Sequence, residues 1–206
     1  GKSVIAINLL AKLNKLTGSA IYVSKNAAPR NIYAKKLKGK YKVNYINKLF
    51  SGSGAFVKTP KNIYDNLIID EAHRLKEKSG MYGNLGENQI KEIINASKFS
   101  IFFLDENQRI DIQDIGSKEE IKKHAKKLSA IIYEDKLESQ FRCNGSDGYL
   151  EWLDDILEIH DSANFDGFDL NYDIKIFDDP NKLQSEIIKK NNKNNNSRLL
   201  AGYCWE

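Results

Sequence analysis

Residues 67–73 read LIIDEAH, an apolar run that ends in two acids. The run predicts a buried strand over 66–70 that carries Asp70 and Glu71 to the carboxyl edge of a sheet. In an enzyme with a phosphate-binding loop, Asp70 would hold the magnesium shell and Glu71 would orient or deprotonate the attacking water. The alternative is a strand followed by an acidic helix N-cap, a common arrangement that needs no function.

Two further apolar runs lie on either side of this segment. Residues 20–23 (AIYV) and 99–104 (FSIFFL) each predict a buried strand. Helical patterns alternate with the strands along the chain. This alternation predicts an α/β fold with a largely parallel sheet, in which ligands bind beyond the carboxyl ends of the strands.

The predicted helices have clear start signals. The first covers 4–16, and its apolar face has helical spacing. The members of that face are Ile5, Leu9, Leu13 and Leu16. Ser117 and Glu120 predict a capping box, and Asp179-Pro180 predicts the start of a final helix. The other predicted elements are helices at 29–37, 87–97 and 146–159, strands at 131–133, 172–177 and 198–204, and loops at 51–54 and 191–196.

The chain begins with the triplet Gly1-Lys2-Ser3, directly before the first helix. The triplet is the second half of the phosphate-binding loop G-x-x-x-x-G-K-[ST], in which helix N–H groups point at the phosphates. Lys2 would reach the terminal phosphates, and the Ser3 hydroxyl would ligate Mg²⁺. The preceding glycine and four loop residues are not in the sequence, and we expect them upstream. Three residues alone recur by chance, but the 68 positions between Lys2 and Asp70 suit two strand–helix units.

A second polar segment follows the strand predicted at 99–104, where the sequence reads DENQR. Gln108 could sense the γ-phosphate, with Asp105 supporting it, because this strand ends at the same sheet edge. An ordinary turn after a strand is an equal alternative.

A third segment, 137–142, reads LESQFR and contains Arg142. The planar, permanently charged guanidinium suits the charge that develops on a transferred phosphoryl group. A surface ion pair is the commoner fate of an isolated arginine.

Charge is divided unevenly along the chain. Residues 1–66 hold 13 of the 32 Lys and Arg residues and a single acid, Asp65, whereas the remainder is net acidic. Ser24-Lys25-Asn26 and Arg30 follow the first strand, and further lysines are interleaved with tyrosines. This composition suits a single-stranded nucleic acid with stacked bases. The alternatives are a compositional bias towards lysine, and tyrosines that serve for packing.

Several classes of protein are excluded by composition. The chain has 206 residues, of which 41% are hydrophobic and 29% charged, as in ordinary globular proteins. Two cysteines, Cys143 and Cys204, form no disulfide framework and fit a cytoplasmic location. No apolar run approaches the roughly 20 residues of a membrane span. The three histidines have no metal-ligand spacing.

The motif order resembles that of superfamily 1 helicases. GKS, then Ser-Lys-Asn after the next strand, DEAH, DENQ and QFR would be motifs I, Ia, II, III and IV. More closely, the segments DEAHRLKEKSGMYGNLGENQ, FFLDENQRI, LESQFRCNGSDGYLEWLDDIL and RLLAGYCWE are similar to a bacterial family of unassigned function. That family is grouped with the helicase-like domain of Schlafen proteins, and the resemblance covers nearly the whole chain.

The resemblance implies a fold and a set of roles. Residues 1–133 would form a RecA-like P-loop NTPase core, and 134–206 the beginning of a second RecA-like domain. The implied roles are phosphate contact for Gly1, Lys2 and Ser3, Mg²⁺ and water for Asp70 and Glu71, coupling for Gln108, and an arginine finger for Arg142. Two features depart from the pattern. Leu104 stands where superfamily 1 usually has glycine, and the late helicase motifs would lie beyond Glu206.

The predicted function is therefore that of an ATP- and Mg²⁺-dependent motor acting on single-stranded DNA or RNA. Two other classes stay open. One is a nucleotide-dependent switch or sensor that binds nucleic acid without unwinding it. The other is a degenerate scaffold that binds no nucleotide.

Overall fold

Four parallel strands form the sheet of the larger of two units, residues 1–146 and 147–206. The computed structural model describes residues 1–16, 19–80, 82–109, 111–137, 147–159 and 175–200. The strands are β1 (Ala20–Ser24), β2 (Phe50–Ser51), β3 (Tyr64–Asp70) and β4 (Ser97–Phe102), in the spatial order β2-β1-β3-β4. The helices of this unit are α1 (Lys2–Leu16), α2 (Ala27–Leu37), α3 (Val43–Leu49), α4 (Gln89–Ala96) and α5 (Lys118–Lys127). The α/β fold with a parallel sheet is confirmed.

The sheet has helices on both faces because its central strand is apolar on both. Leu67 and Ile69 of β3 belong to a core cluster with Ile90 and Ile93 of α4. Ile68 points to the opposite face and packs in a cluster with α1, since successive side chains of a strand alternate. Such nearly continuous apolar runs are typical of parallel strands buried on both sides.

The buried face of α1 differs from the predicted one. Ala6 and Leu10 are its buried residues, whereas Ile5 and Leu16 are 40% and 71% exposed. Leu9 and Leu13 pack only partly against the core. Ala6 has a small side chain that suits close packing of a helix on a sheet. The predicted face was based on large apolar residues and therefore did not include Ala6.

Strand register brings the predicted site residues to one edge. Ser24 at the end of β1 is the partner of Asp70 at the end of β3. On the other side of β3, Ile69 is paired with Phe102, the last residue of β4. The segments that follow these three strands therefore leave the sheet side by side, as the sequence predicts.

Other predicted elements differ in detail. Residues 131–133 are not a strand, and Ile131 and Tyr133 are each 82% exposed, so they lack the burial that a central strand requires. The 51–54 segment forms the end of β2 and a 3₁₀ turn, Ser53–Phe56. Ser117 accepts a hydrogen bond from the Glu120 N–H at the start of α5, as the capping signal predicts.

The second unit contains α6 (Asp147–Ile156) and α7 (Pro180–Asn194) among its described residues. The Asp179 side chain caps α7 as predicted, but the helix has 15 residues and extends to Asn194, into the segment predicted as a loop at 191–196. Residues 175–177 and 198–200 are irregular, and the rest of the strands predicted at 172–177 and 198–204 lies outside the described residues. The second RecA-like domain and its boundary at 133 stay predictions. No described helix is long and apolar enough to span a bilayer.

Candidate functional site

The start of α1 and the segment after β4 meet in an ion pair. Lys2 Nζ lies 2.7 Å from Asp105 Oδ2, across 103 positions of sequence, and both side chains are just over a quarter exposed. Gln108 Nε2 donates to the same carboxylate oxygen at 3.2 Å. The structure thus brings together Lys2 and Gln108, two of the predicted phosphate-site residues, at the carboxyl edge of the sheet.

Asp70 is fixed in place by two hydrogen bonds. Its side chain is buried at the end of β3, where the Tyr22 hydroxyl donates to Oδ2 at 2.7 Å and the Glu71 N–H donates to Oδ1 at 3.1 Å. Burial, followed by this contact with Asp70, raises the pKa of Tyr22 far above its ordinary value, so the phenol stays protonated and remains a donor. Each carboxylate oxygen keeps a lone pair for a further partner.

A sharp turn places Glu71 directly after the strand. Glu71 has φ 56° and ψ 44°, in the left-handed region that non-glycine residues seldom adopt. The Phe103 N–H donates to the Ile69 carbonyl and the Ala72 N–H donates to the Phe103 carbonyl, both at 2.8 Å. These bonds hold the turn on both sides, and such strained residues cluster at functional sites.

His73 connects Glu71 to the segment after β4. It is 1% exposed, its Nδ1 accepts the Asp105 N–H at 3.2 Å, and its Nε2 lies 3.1 Å from Glu71 Oε2. Burial lowers the pKa of His73 despite the nearby carboxylates of Glu71 and Asp105. The ring is therefore neutral, and because Nδ1 accepts, the proton resides on Nε2 and is donated to Glu71.

The pH dependence of stability follows from this lowered pKa. In the unfolded chain a histidine titrates near 6.5, so below about pH 6.5 the unfolded state takes up a proton that folded His73 resists. We expect the free energy of unfolding to fall as the pH drops through that range, by at most about 1.4 kcal/mol per pH unit for one group. Chemical denaturation from pH 7 downward measures this slope.

A His73→Gln variant is the matched control, because its amide can both accept from Asp105 N–H and donate to Glu71. In this variant the free energy of unfolding should depend less steeply on pH, because the proton uptake of one histidine is removed. His124 also has a pKa lowered by burial, so His124→Gln removes a separate contribution. An unchanged slope in His73→Gln would contradict the assignment of a neutral, buried His73.

The four residues predicted to bind nucleic acid differ in their exposure to solvent. Ser24 is fully buried, and its hydroxyl has no hydrogen-bond partner among the described residues. Lys25 Nζ is paired at 3.2 Å with Asp114, whose side chain is inaccessible to solvent. Asn26 is exposed, and Arg30 is half-buried, with its Nε donating to the Asn26 carbonyl. The exposed candidates of this group are therefore Asn26 and, in part, Arg30.

Asp114 joins the ends of β1 and β3 through a pair of cations. Besides Lys25, the Arg74 Nε lies 2.7 Å from Asp114 Oδ2, and the Asp111 N–H donates to the same oxygen. Burial alone would raise the pKa of Asp114, but the contacts with Lys25, the Asp111 N–H and Arg74 keep it below its ordinary value. The carboxylate therefore stays charged and holds both cations.

Gly116 allows the chain to pass against the turn after β3. A Cβ at this position would lie 1.9 Å from the Ala72 carbonyl oxygen and 2.7 Å from His73 Cα. These are backbone atoms, which cannot move aside cheaply. Gly116→Ala should therefore lower the free energy of unfolding by about 1–3 kcal/mol, the usual cost of overpacking.

Denaturant unfolding measures this loss, with Gly52→Ala as the control. At Gly52 a Cβ would meet only the Arg30 guanidinium, at 3.5 Å or more, and φ is −82°. We expect the control to be near neutral. Equal stability of the two variants would show that the contact between Gly116 and the turn is not tight.

A comparison with protein-family models gives a match over the whole chain. The model described as Schlafen group 3, DNA/RNA helicase domain matches residues 1–206. The chain belongs to this Schlafen family. No curated protein and no solved structure matches it.

The Schlafen helicase-domain match covers every predicted site residue, including Arg142, which lies outside the described residues. The family description links the chain to helicase-related action on DNA or RNA. In this Schlafen domain three further residues contact the candidate site without having been indicated by the sequence motifs. They are Tyr22 on Asp70, Asp114 on Lys25, and Gly116 against the turn.

Proposed function

We propose that the chain is an ATP-binding P-loop NTPase, part of a superfamily 1-like DNA/RNA helicase or translocase. The observation that carries the proposal is the contact of Lys2 with Asp105 at the sheet edge where β3 delivers Asp70 and Glu71. A lysine at a helix N-terminus, at a sheet edge that also carries strand-end carboxylates, is typical of sites for triphosphate hydrolysis.

The side chains would divide the work of binding. Gly1, Lys2 and Ser3 would contact the phosphates, aided by the first N–H groups of α1, which have no acceptor within the helix. In the structure Lys2 is neutralised by Asp105, so a triphosphate would compete with Asp105 for the ammonium group. Gln108, bound to the same carboxylate, would respond to that exchange.

Ser3 and Asp70 would hold Mg²⁺. Hydroxyl and carboxylate oxygens are ligands that Mg²⁺ prefers, and Mg²⁺ keeps several waters, so few protein ligands suffice. Asp70 fits this role, because each of its carboxylate oxygens accepts one hydrogen bond and keeps a lone pair for the metal. When bound, Mg²⁺ would offset the charge that develops on the transferred phosphoryl group.

Glu71 would orient the attacking water and accept its proton. The hydrogen bond from His73 Nε2 fixes one oxygen of Glu71, and the strained turn fixes its backbone. Arg142 would stabilise the transferred phosphoryl group as an arginine finger, as the resemblance implies. Hydrolysis would then drive the movement of a single strand bound through the basic first third of the chain.

Phosphate release by the intact protein tests this function. We expect hydrolysis that needs Mg²⁺ and increases with single-stranded DNA or RNA, with chelation of Mg²⁺ as the control. Absence of both ATP binding and hydrolysis would contradict the proposal and favour the degenerate scaffold.

A strand-displacement assay separates the motor from its main alternative. Displacement of a paired strand with ATP supports a helicase. Stimulated hydrolysis without displacement supports a nucleotide-dependent switch that binds nucleic acid.

A further inference from the structure

A cluster of unpaired positive charge lies on the α2–α3 hairpin, which we define as residues 35–48. All of its six lysines are exposed, and none has an ion-pair partner in the described part of the chain. They are Lys35, Lys36, Lys38, Lys40, Lys42 and Lys48. Because the sequence contains no acid before Asp65, no nearby carboxylate along the chain offsets this charge. The hairpin therefore presents a positive surface that attracts polyanions.

Two tyrosines lie side by side on the same hairpin. Tyr41 and Tyr45 are 53% and 44% exposed, and their ring centroids are 5.6 Å apart with an interplanar angle of 31°. The buried residues of α3 are Ile46 and Leu49. Ile46 and Leu49 thus pack α3 against the rest of the fold, while the two tyrosine rings remain partly exposed to solvent.

Other aromatic residues near the hairpin have a different role. Tyr22, Tyr33 and Phe50 contact one another at 5.8–6.2 Å and join the core cluster against α1. This contrast separates the packing tyrosines from the exposed pair. The sequence alone does not make that distinction, because all of these tyrosines are interleaved with lysines.

We propose that the α2–α3 hairpin is a binding site for single-stranded nucleic acid, in which an unpaired base stacks on Tyr41 and Tyr45 while the lysines contact adjacent phosphates. The inference rests on the proposed function, which takes nucleic acid as the partner. Stacking suits an exposed ring pair because every base has a π-face, and lysines follow the phosphodiester backbone without reading sequence. A folded protein partner would not need this combination of rings and uncompensated lysines.

The hairpin is separate from the nucleotide edge. α2 begins after the carboxyl end of β1 and, with 11 residues, extends about 16 Å before the hairpin turn. The crossover returns the chain to β2, which runs parallel to β1. Variants of the turn therefore leave Lys2, Asp70 and Glu71 untouched.

Fluorescence anisotropy with labelled oligothymidylate and oligouridylate tests the stacking. Tyr41→Ala/Tyr45→Ala should weaken binding of the preferred oligonucleotide by about tenfold, which corresponds to about 1.4 kcal/mol of lost stacking. Tyr41→Phe/Tyr45→Phe keeps the rings and should bind like the unmodified protein. Because Tyr41 and Tyr45 are exposed, both double variants should keep the melting temperature of the unmodified protein, and this measurement verifies that they are folded.

Salt dependence tests the phosphate contacts. Lys38→Gln/Lys40→Gln/Lys42→Gln should reduce the slope of log Kd against log salt by about 2, since each contact to a single strand contributes about 0.7. The control changes three exposed lysines elsewhere, Lys12→Gln/Lys15→Gln/Lys58→Gln, and should leave the slope unchanged.

Three results would overturn the inference. They are equal binding by the alanine and phenylalanine pairs, an equal slope for the two lysine triples, and failure of the unmodified protein to bind either oligonucleotide. Heparin, a polyanion without bases, is the control for stacking: an equal loss of heparin binding in the alanine pair would be a fourth result that overturns the inference. ATP hydrolysis without nucleic acid, measured on the same variants, tests the proposed function separately. The proposed function and the hairpin binding site can therefore be refuted independently of each other.

Discussion

Replacing Lys2 by alanine in the intact protein is expected to abolish ATP hydrolysis. The Lys2 ammonium group lies at the N-terminus of α1, where phosphate oxygens would bind, and within 2.7 Å of Asp105. Without it, the charge that develops on the phosphates loses a neighbouring cation, and the Asp105 carboxylate would face the phosphates without a cation of its own. Removal of one such stabilising group costs about 10²–10³ in kcat, and repulsion from Asp105 adds to this loss. Steady-state phosphate release measures the effect.

Lys12→Ala is the matched control for this experiment. Lys12 lies on the same helix but is exposed, and it has no ion-pair partner among the described residues. Its variant should retain full turnover. Normal hydrolysis by Lys2→Ala would remove Lys2 from the mechanism, and with it the phosphate-loop interpretation of Gly1-Lys2-Ser3.

Glu71→Gln is expected to lower kcat by about 10²–10⁴ while ATP binding is retained, because general-base catalysis contributes about this much. Glutamine has the shape of glutamate, and its carbonyl can still accept the hydrogen bond from His73 Nε2. The site geometry is thereby preserved, but the proton acceptor is lost. Separate measurements of kcat and of the Kd for ATP distinguish this effect from a loss of binding.

Glu77→Gln provides the comparison, since Glu77 is an exposed acid a short distance further along the chain. It should hydrolyse ATP at the normal rate. Undiminished kcat in Glu71→Gln would assign the proton transfer to another group. Loss of ATP binding in that variant would instead indicate a role in nucleotide contact.

Strands β1, β3 and β4 could be predicted from local sequence because each contains an apolar run that polar residues follow. Strand β2 could not, because it has only two residues and its second, Ser51, falls in a segment predicted as a loop. The buried face of α1 could not be predicted, since one of its two buried residues is Ala6, which a search for large apolar residues omits. The segment 131–133 was predicted as a strand from three apolar residues alone. Its exposure shows that such a short run needs neighbouring strands to become one.

The site followed the same division. Asp70 and Glu71 could be predicted from their position after an apolar run, and Lys2 could be predicted from its motif. Tyr22 could not be assigned to Asp70, because their contact depends on the register of β1 against β3, 48 positions apart. The pairing of Lys25 with Asp114 spans 89 positions and likewise has no local signal.

The most direct measurement is the structure of the intact protein with Mg²⁺ and a non-hydrolysable ATP analogue. We expect a terminal phosphate oxygen about 2.7–2.9 Å from Lys2 Nζ, the usual length of a charge-assisted hydrogen bond, with Lys2 released from Asp105 and the metal facing Asp70. A triphosphate bound elsewhere, or an analogue bound while Lys2 stays paired with Asp105, would contradict this expectation.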